Sequence, residues 1–222
     1  MQDSHENLHT TTTNLLRTFT TFMRKKYADI AMDEGSVKNM AGIGNKTLPT
    51  ELKDSLDVPI TMEELHLAAR KGKAHKAPDS DGVCQEFFKI TWETTKCDML
   101  AILNQIFIEG KITDRQKHGM IVYLPKKTHP ISSPEEYRHI TLMNAVYKLM
   151  TRIIANRLRP LIADVLLPSQ LCGVPGNTVF EAVAAVREAI AYTGATRAPL
   201  CILSLDFQAA FDNISHTDLL PC

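Results

Sequence analysis

Two short runs of strand-forming residues interrupt a chain whose other apolar residues recur at helical spacing, and this change of period constrains the fold most. Met120–Leu124 (MIVYL) and Tyr137–Met143 (YRHITLM) are rich in β-branched and aromatic residues. The twelve residues between them, Pro125–Glu136 (PKKTHPISSPEE), are turn formers and charges. Runs of this kind joined by a polar, Pro-containing loop predict a β-hairpin with a long basic loop. The flanking stretches predict helices.

Leu15, Leu16, Phe19, Phe22, Met23, Tyr27 and Ile30 predict an amphipathic helix over Leu15–Met32 with its basic residues mostly outside. Residues 33–59, with scattered Gly and Pro, predict a linker. Thr61-Met62-Glu63-Glu64 has the pattern of a capping box, and Ile60 is placed to staple onto Leu65. That helix is expected to run to Lys71, followed by a loop, Lys73–Gly82, and helices near Val83–Thr91 and Glu93–Glu109 that Gly110 ends. A longer helix is expected over Ala145–Val165. Val146, Leu149, Met150 and Ile153 lie on its buried stripe, Lys148, Arg152, Arg157 and Arg159 lie largely elsewhere, and Pro160 kinks it. Beyond the loop Leu167–Asn177, a second capping-box pattern (Thr178–Glu181) opens a helix with Val179, Val183, Val186 and Ile190 as its buried stripe. Leu200–Leu205 (LCILSL) predicts a buried strand ending at Asp206.

Composition narrows the class. A chain of 222 residues with 44% hydrophobic and 23% charged residues can bury a core, so wholesale disorder is excluded. No apolar run reaches the roughly 18–20 residues of a membrane helix, and the N-terminus lacks a signal peptide, which predicts an intracellular protein without membrane association. Five cysteines without metal-type spacing predict reduced thiols, several of them packed as small hydrophobes. Net charge is zero, yet residues 111–160 hold ten Lys/Arg against three Asp/Glu, whereas residues 161–222 hold two against six. A basic middle beside an acidic end allows one surface to face phosphates and another to gather cations.

Three features bear on chemistry. Asp206 closes an apolar strand and would serve there as a Mg²⁺ ligand or as the cap of the next turn. Asp212, six residues on, reads as a local cap or turn. Lys126, Lys127 and Arg138 flank the hairpin strands and either converge on a phosphate or decorate a solvated loop.

In chain order, KAPDSDG (Lys76–Gly82), IVYLPKK (Ile121–Lys127), YRHITLMNAVYKLMTRIIANRL (Tyr137–Leu158), PSQLCGVPGN (Pro168–Asn177) and LSLDFQAAFDNISH (Leu203–His216) resemble successive motifs of reverse transcriptases from non-LTR, LINE-type retrotransposons. The resemblance covers roughly Ile60–His216, and the helix around Phe22–Tyr27 resembles the segment preceding that polymerase domain. It implies an α/β (α+β) fold, a partial right-hand polymerase with mostly helical fingers, a β-hairpin and the first palm strand. Residues 1–59 would form the preceding helix and linker, and 60–222 the partial polymerase domain. Asp206 would be the first catalytic carboxylate and a Mg²⁺ ligand, with the backbone carbonyl of Phe207 beside it. Phe211 would be the steric gate under the nucleotide sugar. Lys127, with Lys126, and Arg138 would grip the triphosphate of the incoming dNTP, and Gln170 and Gly173 would approach template and nucleotide. Lys127, Arg138 and Asp206 would then meet in one cleft. The partners implied are an RNA template and a DNA primer.

The sequence departs from the family pattern in places. Asp79 stands where a glycine is usual, His139 where a proline is usual, and Asn177 where an arginine is usual. The second catalytic Asp pair of the family, the rest of the palm and the thumb would lie beyond Cys222, and the family's endonuclease domain is not seen upstream. The expectation is therefore a fragment, inactive alone. The alternatives are a non-catalytic nucleic-acid-binding remnant or a helical interaction module.

Overall fold

The computed structural model describes residues 11–28, 48–127, 133–167, 169–207 and 212. They fall into two compact units, one within Lys46–Leu124 and Arg138–Leu166, the other within Met1–Asn45, Pro125–Tyr137 and Leu167–Cys222. The described elements are helices and one two-stranded antiparallel sheet. No described helix is long and apolar enough to cross a membrane.

The first unit is built on helices α2 (Thr50–Leu56), α3 (Met62–Arg70), α4 (Gln85–Ile90), α5 (Trp92–Glu109), the short α6 (Asp114–Lys117) and α7 (Ala145–Leu158). α2 lies in the stretch expected to be a linker. It buries no residue, so the apolar periodicity that marks the other helices is missing from it. Helix α3 starts where the sequence places it. The Thr61 hydroxyl accepts from the Glu64 N–H at 3.2 Å, and Glu64 Oε2 accepts from the Thr61 N–H at 2.9 Å, which satisfies two otherwise orphaned donors. Ile60 and Leu65, on either side of that cap, are both buried in the core. Asn104 of α5 grips the backbone of Ile60, donating from Nδ2 to its carbonyl at 3.0 Å and accepting its N–H on Oδ1 at 2.6 Å.

The core gathers Leu65, Ala68 and Ala69 of α3, Phe88 of α4, Met99 and Leu103 of α5, and Leu149, Met150 and Ile153 of α7. Small Ala68 and Ala69 let α7 approach α3 closely, while Leu65, Leu103, Leu149 and Ile153 are fully enclosed. Truncating one such leucine costs about 2–5 kcal/mol. Gly110 ends α5 in the left-handed region (φ +62°), with its N–H on the Ile106 carbonyl at 3.0 Å.

β1 (Gly119–Pro125) and β2 (Tyr137–Met143) form the expected hairpin. Gly119 is needed at the open end, away from the connecting loop, since a Cβ there would come within 2.4 Å of Thr141 Cγ2 and 2.7 Å of Met143 Sδ. After Asn144, α7 runs only to Leu158. Pro160 breaks rather than kinks the predicted helix, and four residues resume it as α8 (Ile162–Val165). The missing N–H and the clash of the ring with the preceding turn account for the break.

In the second unit, α1 spans Thr12–Lys26, beginning and ending earlier than expected, because Tyr27 leaves the helical conformation as its C-cap. α9 spans Val179–Thr196 but departs from expectation twice. The Thr178 side chain makes no cap hydrogen bond, and the stripe of Val179, Val183, Val186 and Ile190 is exposed. Leu200–Leu205 is not a strand: Leu203 is 77% and Leu205 75% exposed, and no described ladder takes the segment up. Both corrections have one cause, because an apolar stripe or strand is buried only by a partner surface, which periodicity does not supply. The cysteines depart likewise: Cys84 is half-buried, whereas Cys97, Cys172 and Cys201 are exposed thiols.

Candidate functional site

Beyond β1, the Lys126 N–H donates to the Glu136 carbonyl at 2.8 Å, carrying the hairpin pairing one step outward. The 3₁₀ turn Pro134–Glu136 closes the return strand with its own capping box, Ser133 Oγ accepting from Glu135 N–H at 3.3 Å and Glu136 Oε2 from Ser133 N–H at 3.4 Å. These turns give the two lysines different situations. Lys126 Nζ donates to the Glu135 carbonyl at 2.7 Å and so is engaged in closing the loop. Lys127 is 70% exposed and lies 3.6 Å from Glu136, a loose surface pair that a phosphate can replace. Arg138, the second residue of β2, is exposed.

Gln170 and Gly173 sit in a loop tied by its own turns. Gln170 Nε2 donates to the Cys172 carbonyl at 3.0 Å, and Asn177 Nδ2 donates to the Gln170 carbonyl at 3.2 Å. Gly173 (φ +80°) and Gly176 (φ +89°) adopt backbone that favours glycine, although open space surrounds both. Val174, between them, is buried. Asn177, at the position where the resemblance leads one to expect an arginine, therefore braces the loop.

Asp206 and Phe207 are exposed. Phe211 lies outside the described residues. Asp212 lies in a turn, as one of its two sequence readings has it, and its side chain also reaches a distant part of the chain. Its Oδ2 is 2.7 Å from Lys26 Nζ, and its Oδ1 accepts from the Tyr27 hydroxyl at 3.0 Å, both partners lying at the C-terminal end of α1.

In the other unit, the loop Lys76–Gly82 is tied to the start of α7. Asp79 Oδ1 accepts from the Asp81 N–H at 2.7 Å, and Asp81 Oδ1 accepts from the Val83 N–H at 2.7 Å. Asn144 Nδ2 donates to Asp81 Oδ2 while its own Oδ1 caps α7 through the Val146 N–H at 2.8 Å. Asp79 is buried, so at the glycine position of the motif it acts as a turn brace. Partial loss of water pushes the Asp81 carboxyl above its ordinary value, and the neighbouring Asp79 adds to the rise.

Two arginines that helical periodicity put outside the core lie partly within it. Arg152 Nη1 donates to the Ala68 carbonyl at 2.6 Å and to Gln85 Oε1 at 3.0 Å, and burial lowers its pKa. Arg157, with a side chain only 9% exposed, holds Glu64 and the carbonyls of Leu56, Val58 and Pro59. Its guanidinium also lies 5.2 Å from the centroid of the Phe107 ring. The available signal was spacing: Arg157 falls four residues after Ile153, on the buried stripe.

Among the described residues, no three His, Cys, Asp or Glu side chains are grouped to hold a metal ion. Asp206 offers one exposed carboxylate and Phe207 one carbonyl, fewer oxygen donors than the six that a hard divalent cation takes. A cavity of about 450 Å³ along α5, lined by Ile102, Ile106 and Ile112 among others, contains none of the candidate site residues.

Comparison with known proteins bears on the same segments. Residues 124–222 match the family model described as reverse transcriptase (RNA-dependent DNA polymerase). The chain is 33% identical over 168 residues to the "Transposon TX1 uncharacterized 149 kDa protein" of Xenopus laevis, an alignment covering 76% of this chain and 13% of that protein. It is 29% identical over 177 residues to the "Probable RNA-directed DNA polymerase from transposon BS" of Drosophila melanogaster, covering 78% of this chain and 20% of the relative. It is 26% identical over 202 residues to the "Retrovirus-related Pol polyprotein from type-1 retrotransposable element R1" of Bradysia coprophila, covering 84% and 20%. The chain thus spans one fifth or less of the length of these relatives. The family match over residues 124–222, together with these transposon and retrotransposon relatives, places the chain among the reverse transcriptases of non-LTR retrotransposons.

Proposed function

We propose that residues 60–222 are the fingers and the start of the palm of an intracellular RNA-directed DNA polymerase, preceded by a helix and linker over residues 1–59. In complete form it adds dNTPs to a DNA 3′ end on an RNA template. One observation carries the reading: Lys126, Lys127, Arg138, Gln170, Gly173, Asp206, Phe207 and Phe211 all fall inside the interval that matches the reverse transcriptase family.

In this reading Lys127 and Arg138 neutralise the triphosphate, Arg138 through a planar fork and Lys127 as a point charge, and Lys126 holds the hairpin end in shape. Gln170 and the loop around Gly173 face template and nucleotide, and the Phe211 ring excludes a 2′-hydroxyl. Asp206 and the Phe207 carbonyl would hold Mg²⁺ together with further oxygen donors. When bound, the cation supplies charge neutralisation at the reacting phosphate.

The test uses the full chain. Binding of an RNA template–DNA primer duplex is measured by filter retention against salt, and capture of a photoreactive dNTP is measured on the same complex. Affinity should fall steeply with salt. Lys127→Ala should cut nucleotide capture about tenfold while leaving thermal stability unchanged, because it removes one exposed phosphate contact. Salt-independent binding, or capture that ignores both Lys127→Ala and Arg138→Ala, would overturn the proposal. Salt-dependent RNA binding without nucleotide capture would instead identify a non-catalytic nucleic-acid-binding remnant.

A further inference from the structure

We infer that α1 is a bracket that holds two points of the proposed site's surroundings at a set separation: the lysine end of the hairpin and Asp212, six positions after Asp206. The inference rests on the reading of Lys127 and Asp206 given above. Its physical content is a pair of contacts on one helix.

Toward the middle of α1, the Phe19 ring meets Tyr137 edge-on, with centroids 5.3 Å apart and planes at 87°. Tyr137 follows Glu136, whose carbonyl accepts the Lys126 N–H and whose carboxylate lies beside Lys127. At the C-terminal end of α1, Lys26 and Tyr27 hold Asp212, six residues beyond Asp206. An edge-on aromatic pair sets the positive ring edge against the negative face of its partner, which gives the contact a preferred geometry beyond simple burial. The Asp212 carboxylate has the Lys26 ammonium and the Tyr27 hydroxyl among its partners, and Lys26 and Asp212 expose only 21% and 18% of their side chains. Such a pair is screened less than a surface ion pair.

A helix transmits position because its length is fixed. Phe19 and Lys26 are seven residues apart, hence about 10 Å along the axis at 1.5 Å per residue. Neither Lys26 nor Tyr27 touches substrate in this account; they are positioning residues that act through Asp212. Lys26 stands in the last turn of α1, where the helix dipole favours a cation, and it meets the Asp212 carboxylate from there.

The test is made on the full chain by two measurements. A water-soluble carbodiimide joins an amine and a carboxylate only when they are in contact, so it should produce an amide between Lys26 and Asp212, detectable by mass spectrometry. Lys26→Arg keeps the charge but should abolish that product. Hydrogen–deuterium exchange then reads the bracket. Asp212→Asn should speed exchange roughly fivefold in α1 and, with it, at the hairpin end around Lys126 and Tyr137. Lys26→Arg should leave both close to the parent, which a loss of general packing would not do. Absence of the amide, or exchange at the hairpin end that ignores Asp212→Asn, would overturn the bracket. Loss of nucleotide capture with both signatures intact would instead count against the proposed function.

Discussion

The Arg157 guanidinium grips Glu64 at two points, Nε to Oε1 at 2.6 Å and Nη2 to Oε2 at 2.8 Å, joining two residues 93 positions apart on different helices. The same guanidinium donates to the carbonyls of Leu56, Val58 and Pro59, at 2.8, 2.7 and 3.1 Å, which lie just ahead of α3. Glu64 in turn caps α3, so one ion pair fixes the chain entering that helix to the end of α7. Arg157→Met should destabilise the protein by about 3 kcal/mol, near the low end for breaking a buried pair because Glu64 is partly exposed. Arg157→Lys should recover less than half of this, since an ammonium lacks the planar fork. Urea unfolding checks both, and equal stability of Arg157→Met and the parent would refute the role.

The pair also predicts a pH response. The hydrogen bond from Arg157 leads the influences that hold the Glu64 carboxyl below its ordinary 4.5, while partial burial opposes it. A carboxyl with a lowered folded-state pKa contributes stability that is present above 4.5 and is lost as pH falls through the folded value. Thermal melts between pH 7 and pH 3 should therefore show a steeper loss for the parent than for Glu64→Gln. A parallel pair of curves would contradict the assignment.

Gly72 is constrained chiefly by Gln85, with the Ala69 carbonyl 3.2 Å from the site of a Cβ as a lesser crowding. A Cβ there would lie 2.1 Å from Gln85 Oε1, the atom that accepts from Arg152. Gln85 is buried and its Nε2 has no partner among the described residues, so displacing the side chain breaks the Arg152 contact without gaining another. Gly72→Ala should cost about 1–3 kcal/mol as an overpacking substitution. In a Gln85→Ala background the same change should cost much less, and a double-mutant cycle measures the difference. Additive effects would show that the clash is relieved elsewhere.

The stretch from Leu200 to Phe207 presents Leu203, Leu205 and Phe207 to solvent, all at least 75% exposed. Large apolar side chains displayed together at the surface invite association between copies. Leu203→Lys with Leu205→Lys should lower concentration-dependent light scattering without changing the thermal midpoint, because neither side chain contributes to the core. Unchanged scattering would locate the association elsewhere.

Local signals in the sequence settled the elements whose cause is local. The capping box at Thr61, the stop at Gly110 and the two strand-forming runs of the hairpin depend on residues within one turn or one ladder of each other. Motif order also made the family legible, because it is a property of the chain itself. What the tertiary structure decided was the partner of each side chain. Asp212 reads as a local cap or turn, and only the fold adds Lys26 and Tyr27 to it across 186 and 185 residues. Arg157 reads as a surface cation until three carbonyls and Glu64 surround it. The stripe of α9 and the run Leu200–Leu205 show the converse: apolar patterning states what a segment needs to bury, whereas burial requires a second surface whose position only the folded chain determines.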